Sequence, residues 1–243
     1  MSDKHSTYQR LQSALSDLIQ NTPKGCKLLS EPKLADQFNV SRATLREAMR
    51  TFESQGLLRR RQGLGTFVVG PTQVIESGLE VLESIETQAE RIGFDVEMGT
   101  YQITHIQANA GQAEKLDLNE GSPLIKIDRV ILTENTPVAY LIDTLPETIL
   151  DPEALTNQFK GSVLDLIIQK GDPALSISKT EISAVHAPAK VAKALDIQRG
   201  DTLLLLKALL FNEEGNPIDY SHSYFLPGHF RLHIIRKIGG VGS

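Results

Sequence analysis

Residues 28–68 read LLSEPKLADQFNVSRATLREAMRTFESQGLLRRRQGLGTFV, and this stretch decides the fold of the first part of the chain. Ser30 is placed to cap a short helix carrying Leu34, Ala35 and Phe38, with Pro32 tolerated in a first turn whose amides have no intrahelical partner. Asn39, which accepts left-handed backbone, follows, so the turn falls at Asn39 and Val40. Ser41 then caps a further helix whose stripe Leu45, Ala48, Met49 and Phe52 ends at Gly56. Beyond Gly56, Leu57–Arg61 and Thr66–Val69 read as two short strands around the turn Gln62-Gly63-Leu64-Gly65. Upstream, Tyr8, Leu11, Leu15, Leu18 and Ile19 recur at helical spacing before Pro23 and Gly25 close the segment. The pattern predicts a winged helix-turn-helix in residues 1–71, a linker over 72–82, and a second domain over 83–243.

With the apolar stripe turned inward, Ser41, Arg42, Thr44, Arg46 and Arg50 fall on exposed or flanking faces of the second helix of the pair. Arginine pairs bidentately with guanine edges, and hydroxyls suit phosphates, so this is the residue set a major groove needs. Exposed arginines on a solvated helix are the competing reading. The wing adds Arg59, Arg60 and Arg61 for phosphate contacts and a glycine tip at Gly63 that can approach a duplex closely. Charge is also distributed unevenly. Residues 1–70 hold 11 Lys+Arg against 6 Asp+Glu, and the remainder 14 against 24, a basic front on an acidic body.

The second domain holds an internal duplication. One copy starts at Ala110 (AGQAEKLDLNEGSPLIKIDRVILTENTPVAYLIDTLP), the other at Ala187 (APAKVAKALDIQRGDTLLLLKALLFNEEGNPIDYSHSYFLP). Each gives a short helix, a turn with Gly121 or Gly200, a strand, a polar turn and a second strand. A lone hairpin cannot bury its face, so the two should join into one antiparallel sheet backed by helices, an α+β domain. A helix over Ser162–Lys170 and a strand over Leu175–Ala184 are expected between them.

Residues 28–68 resemble the winged-helix signature of the GntR family of transcriptional regulators. The resemblance implies DNA contact through Ser41, Arg42, Thr44, Arg46, Gln62 and Gly63, with Lys33 flanking and Arg50 and Arg60 in support. The family usually has arginine where this chain has Pro32. Residues 83–237 resemble the UTRA effector domain of the HutC-type branch, which shares its fold with chorismate lyase. The hairpin Leu124–Pro146 and the segment PIDYSHSYFLPGHFRL from Pro217 carry that likeness. By position it implies effector contacts from Ser84, Ile85, Glu86, Arg129, Ser162, Asp219 and Tyr224. Arg129 stands in an otherwise apolar strand and needs either a ligand or an ion pair, with Asp219 or Asp128 as the nearest sequence candidates. Relatives that bind sugar phosphates tend to carry a second arginine and an early Ser or Thr where this chain has Ile131 and Glu86. The resemblance therefore implies a neutral or amine-bearing effector.

The amino terminus lacks the apolar core of a secretory signal, and the greasiest run, Thr202–Phe211, is too short to cross a bilayer and reads as a strand. A cytoplasmic protein is expected. Cys26 is alone in the chain and is taken as structural, with no cofactor and no metal implied. His105, His186, His222, His229 and His233 are scattered without a nucleophile elbow or nucleotide loop, so a lyase-like enzyme or a ligand-binding module without DNA regulation is the lesser alternative. One winged helix makes few base contacts, so a homodimer on a palindromic double-stranded operator is expected.

Overall fold

A computed structural model describes residues 2–54, 56–61, 63–69, 75–150, 155, 159 and 161–236, with the side chains of 2–7 and 54 excepted. The chain divides into two compact units, one of residues 1–74, 185–203 and 226–229, the other of residues 75–184, 204–225 and 230–243.

In the first unit, α1 (Ser2–Gln20), α2 (Glu31–Gln37) and α3 (Arg42–Ser54) enclose a core of Leu11, Leu15, Ile19, Leu34, Leu45, Ala48, Met49 and Phe52. Asn39 turns the chain between α2 and α3 at φ +53°. Ser41 caps α3, its Oγ accepting from Thr44 N at 3.1 Å. Ser30 stands at the cap position of α2 but its side chain makes no capping bond. Strands β1 (Leu58–Arg61) and β2 (Gly65–Val68) pair antiparallel, Leu58 opposite Val68 and Arg61 opposite Gly65. Residues 26–28 extend this ribbon, Leu28 N donating to Thr66 O and Val68 N to Cys26 O. Cys26 thus contributes its backbone to the wing, while its thiol is exposed and free, so the expectation of a structural side chain does not hold.

The second unit is built on a six-stranded sheet of order β4-β5-β6-β9-β8-β7. Its strands are β4 (Glu97–Gln107), β5 (Pro123–Thr133), β6 (Thr136–Pro146), β7 (Leu175–His186), β8 (Thr202–Asn212) and β9 (Pro217–Phe225). The hairpins β5-β6 and β8-β9 are the two copies read in the sequence, and they join antiparallel through their second strands, Ala139 opposite Phe225. The repeat is longer than the sequence alone shows. Each copy is strand, helix and hairpin: β4, α5 (Ala110–Leu116), β5, β6, then β7, α7 (Ala189–Ala194), β8, β9. Asp117 and Asp196, at equivalent places, both adopt left-handed backbone at φ +53° and +52°.

Helices α4 (Ile85–Arg91) and α6 (Val163–Lys170) pack on the sheet face that carries Ile125, Ile127, Ile131, Leu141, Leu145 and Phe225. Leu124 and Tyr220 point to the other face, under α5. Within the stretch read as linker, residues 75–78 form β3 (Ile75–Gly78), which pairs parallel with β10 (Phe230–His233). Neither β3, β10, α4 nor β4 was expected from periodicity, because each is short or mostly half-exposed and shows weak alternation.

Candidate DNA-binding surface and effector site

On the exposed side of the helix pair, α2 presents Lys33 and α3 presents Ser41, Arg42, Arg46 and Arg50, with Thr44 half-buried beside Ser41. The apolar stripe faces the core, as required for the polar face to be available. Glu31, which no sequence pattern singles out, links the elements: it accepts from Arg46 Nε at 2.6 Å and pairs with Arg60 of the wing. One partly buried carboxylate therefore fixes an arginine on α3 and another on β1. Its signal was available only as an acidic residue in the first turn of α2.

The three wing arginines differ in their surroundings. Arg60 is held by Glu31. Arg61 lies 3.3 Å from Asp196 and over the Phe67 ring. Arg59 is largely buried, donates to Leu195 O at 2.8 Å and lies 3.6 Å from Asp196. Burial pushes its pKa down, against the pull of Asp196. The expected phosphate role thus fits Arg60 and Arg61 better than Arg59. Gly63 lies at φ +74° with open space where a side chain would be, consistent with close approach of the tip to another surface. Gln62 lies outside the described residues.

The second site is built on the sheet. Arg129 on β5 is opposite Leu141 on β6, and strand alternation puts Asp143 on the same face. Asp219 and Ser221 on β9 share that face through the pairing of Ser221 with Asp143. Arg129 is 5% exposed and bonds Glu86 Oε1 of α4 at 2.6 Å, with Asp143 Oδ2 3.6 Å from its Nε. The ion pair anticipated for Arg129 exists, but its partners are Glu86 and Asp143 and not Asp219 or Asp128. Asp128 points to the opposite face and lies 3.3 Å from Lys126. Asp219 instead accepts from Thr144 N at 3.0 Å. Burial pushes the Asp143 and Asp219 carboxyls up, Arg129 pulling Asp143 back and Asp143 raising Asp219 further. Asp143 was missed by the sequence reading, although a lone charge in an apolar strand was the same signal that exposed Arg129.

Ser84 and Ser162 meet at Asp165. Ser84 caps α4 and donates to Asp165 Oδ2 at 2.6 Å, while Ser162 caps α6 by accepting from Asp165 N. Ile85 packs in the apolar cluster with Ile131 and Phe225. Tyr224 is not brought to this group: it pairs with Tyr140, one residue out of phase with Ser221 and Ser223, and so faces the other side of the sheet. Phe225 holds the position on the Arg129 face. His229 is buried, and desolvation with Arg59 and Lys24 nearby pushes its imidazole down to about 4, so it is neutral at ordinary pH.

These two constructions define a class: a DNA-reading winged helix in one chain with a sheet domain holding a buried charged cluster. The matches place it further. Residues 7–68 match the bacterial regulatory proteins of the GntR family and residues 92–231 match the UTRA domain. The chain belongs to the GntR family and carries a UTRA effector domain. The transcriptional repressor NagR of Bacillus subtilis is 28% identical over 220 residues, 90% of this chain and 89% of that protein. The histidine utilization repressor of Pseudomonas putida is 25% identical over 202 residues, 82% of this chain and 80% of that one. In fold, the crystal structure of PhnF from Mycobacterium smegmatis matches with a TM-score of 0.63 at 20% identity, covering 94% of this chain and 100% of that one. The protein is a DNA-binding transcriptional regulator with an effector-binding domain, and not an enzyme. Among the described residues, no helix is long and apolar enough to cross a membrane.

Proposed function

We propose that the protein is a cytoplasmic homodimeric repressor that reads a palindromic operator through α3 and the wing and changes its operator affinity when a small molecule binds over the Arg129 face of the UTRA domain. The observation that carries this is the exposed set Ser41, Arg42, Arg46 and Arg50 on α3, coordinated with Arg60 through Glu31. Repression is supported by the relatives whose names call them repressors. A dimer is supported by β7, a twelve-residue edge strand on which Ile177 and Ile182 are exposed, because long uncovered edges invite pairing with another chain. The effector site rests on Glu86, Arg129, Asp143 and Asp219, with Ser84 and Ser162 holding α4 and α6 in place.

Selection of bound fragments from the parent genome, followed by gel-shift titration at two salt concentrations, tests this reading. Arg46→Ala should cost about 1–3 kcal/mol on the selected operator and little on random DNA, whereas Arg60→Ala should weaken all sequences and flatten the salt slope by about one. Unchanged binding by both variants, or no preference for any fragment, sinks the reading.

A further inference from the structure

Around Arg129 acidic groups outnumber the one basic group. Glu86 and Asp143 both face its guanidinium, and Asp219 lies behind Asp143. Counting only the two groups that reach it, two carboxyl groups meet one guanidinium. Nor is the hydrogen bonding complete. Arg129 is 5% exposed, its Nε and Asp143 Oδ2 face each other at 3.6 Å, too far for a full hydrogen bond, and Glu86 Oε2 is a buried oxygen without a donor. Buried charges of this kind are normally paired and fully hydrogen-bonded. An open acceptor on Glu86, a stretched Arg129–Asp143 pair and a second carboxyl group beside one guanidinium are what an ammonium or amidinium group satisfies, since it brings several donors and no acceptor.

An anion meets the opposite situation. Nη1 of Arg129 is already bonded to Glu86 at 2.6 Å, so a phosphate taking both terminal nitrogens of the guanidinium must displace Glu86. Gly161, whose missing side chain would come within 3.2 Å of Glu86 Oε1, leaves the room in which this carboxylate is seated. Resting on the effector reading above, we propose that the effector carries a positively charged nitrogen bound by Glu86 and Asp143, and that Glu86 is the specificity-determining residue that closes Arg129 to phosphorylated ligands.

The test uses the full chain in thermal-shift and calorimetric titrations. The cationic probes are ethanolamine, glucosamine and methylguanidinium, each set against its uncharged counterpart, ethylene glycol, glucose and methylurea; glucose 6-phosphate and inorganic phosphate are the anions. At least one cation should give a saturable response that its counterpart lacks, and Glu86→Gln and Asp143→Asn should each weaken it tenfold or more. Glu86→Ser should gain a saturable response to phosphate or glucose 6-phosphate that the wild type lacks. The proposal is overturned if no cation outperforms its counterpart, or if the wild type takes phosphate as well as Glu86→Ser does. Should Asp143→Asn fail to fold, the two Glu86 variants decide. Gel shifts on the same proteins keep the two readings apart: intact operator binding beside a failed cation response rejects only the effector class, and absent operator binding rejects only the regulator mechanism.

Discussion

Glu53 lies on α3, where burial, reinforced by Asp201 and opposed by Arg60 and Arg50, pushes its carboxyl from 4.5 up to about 7. The folded state therefore holds this proton more tightly than the unfolded chain. The stability gained is fully present below about pH 4.5 and is lost as pH rises through about 7. Glu53→Gln, which keeps the shape without the charge, should match the wild type near pH 4 and exceed it at pH 8 by about 1–3 kcal/mol, a figure on the scale of two pKa units. Melting temperatures of both proteins across this range check it, and a constant difference at all pH values contradicts it. At the same scale, Arg129 and Asp143 were each visible as single charges in apolar strands, but their mutual approach was not, since it depends on the register of β5 against β6.

Among the elements, α5 shows how local chemistry fixes a boundary. Asn109 Oδ1 accepts from Gln112 N at 2.9 Å while Gln112 Oε1 accepts from Asn109 N at 3.1 Å, a reciprocal cap that satisfies two otherwise orphaned amides. Asp117 ends the helix in left-handed backbone. Ala113 and Leu116 then pack onto Leu124 and Tyr220. Asn109→Ala should lower stability by about 1 kcal/mol, with helix content otherwise retained, readable by chemical denaturation. No loss would mean that packing alone sets the start of α5. The same kind of signal, Ser41 before the α3 stripe and Asn39 in the preceding turn, made the helix-turn-helix legible. Strand β4 and helix α4 lacked it. Most of β4 is half-exposed or exposed, so its alternation is diluted, and α4 spans only seven residues.

For the whole molecule, β7 is the decisive element, an edge of the sheet with Ile177 64% exposed and Ile182 46% exposed. If the proposed dimer pairs through β7, Ile177→Glu with Ile182→Glu should sediment as a monomer and bind the operator more weakly without altering the fold; a sedimentation coefficient equal to that of the wild type contradicts a β7 contact. The sequence by itself determined the winged helix-turn-helix and the duplicated hairpins, because helix caps, stripes and strand alternation are short-range rules written in neighbouring residues. Tertiary structure alone decided that Glu31 joins Arg46 to Arg60, that Glu86 and Asp143 converge on Arg129, and that Tyr224 faces away from them. Those facts follow from register and from contacts between residues 14 to 43 positions apart, where Coulomb attraction and burial depend on distances through space that no local pattern encodes.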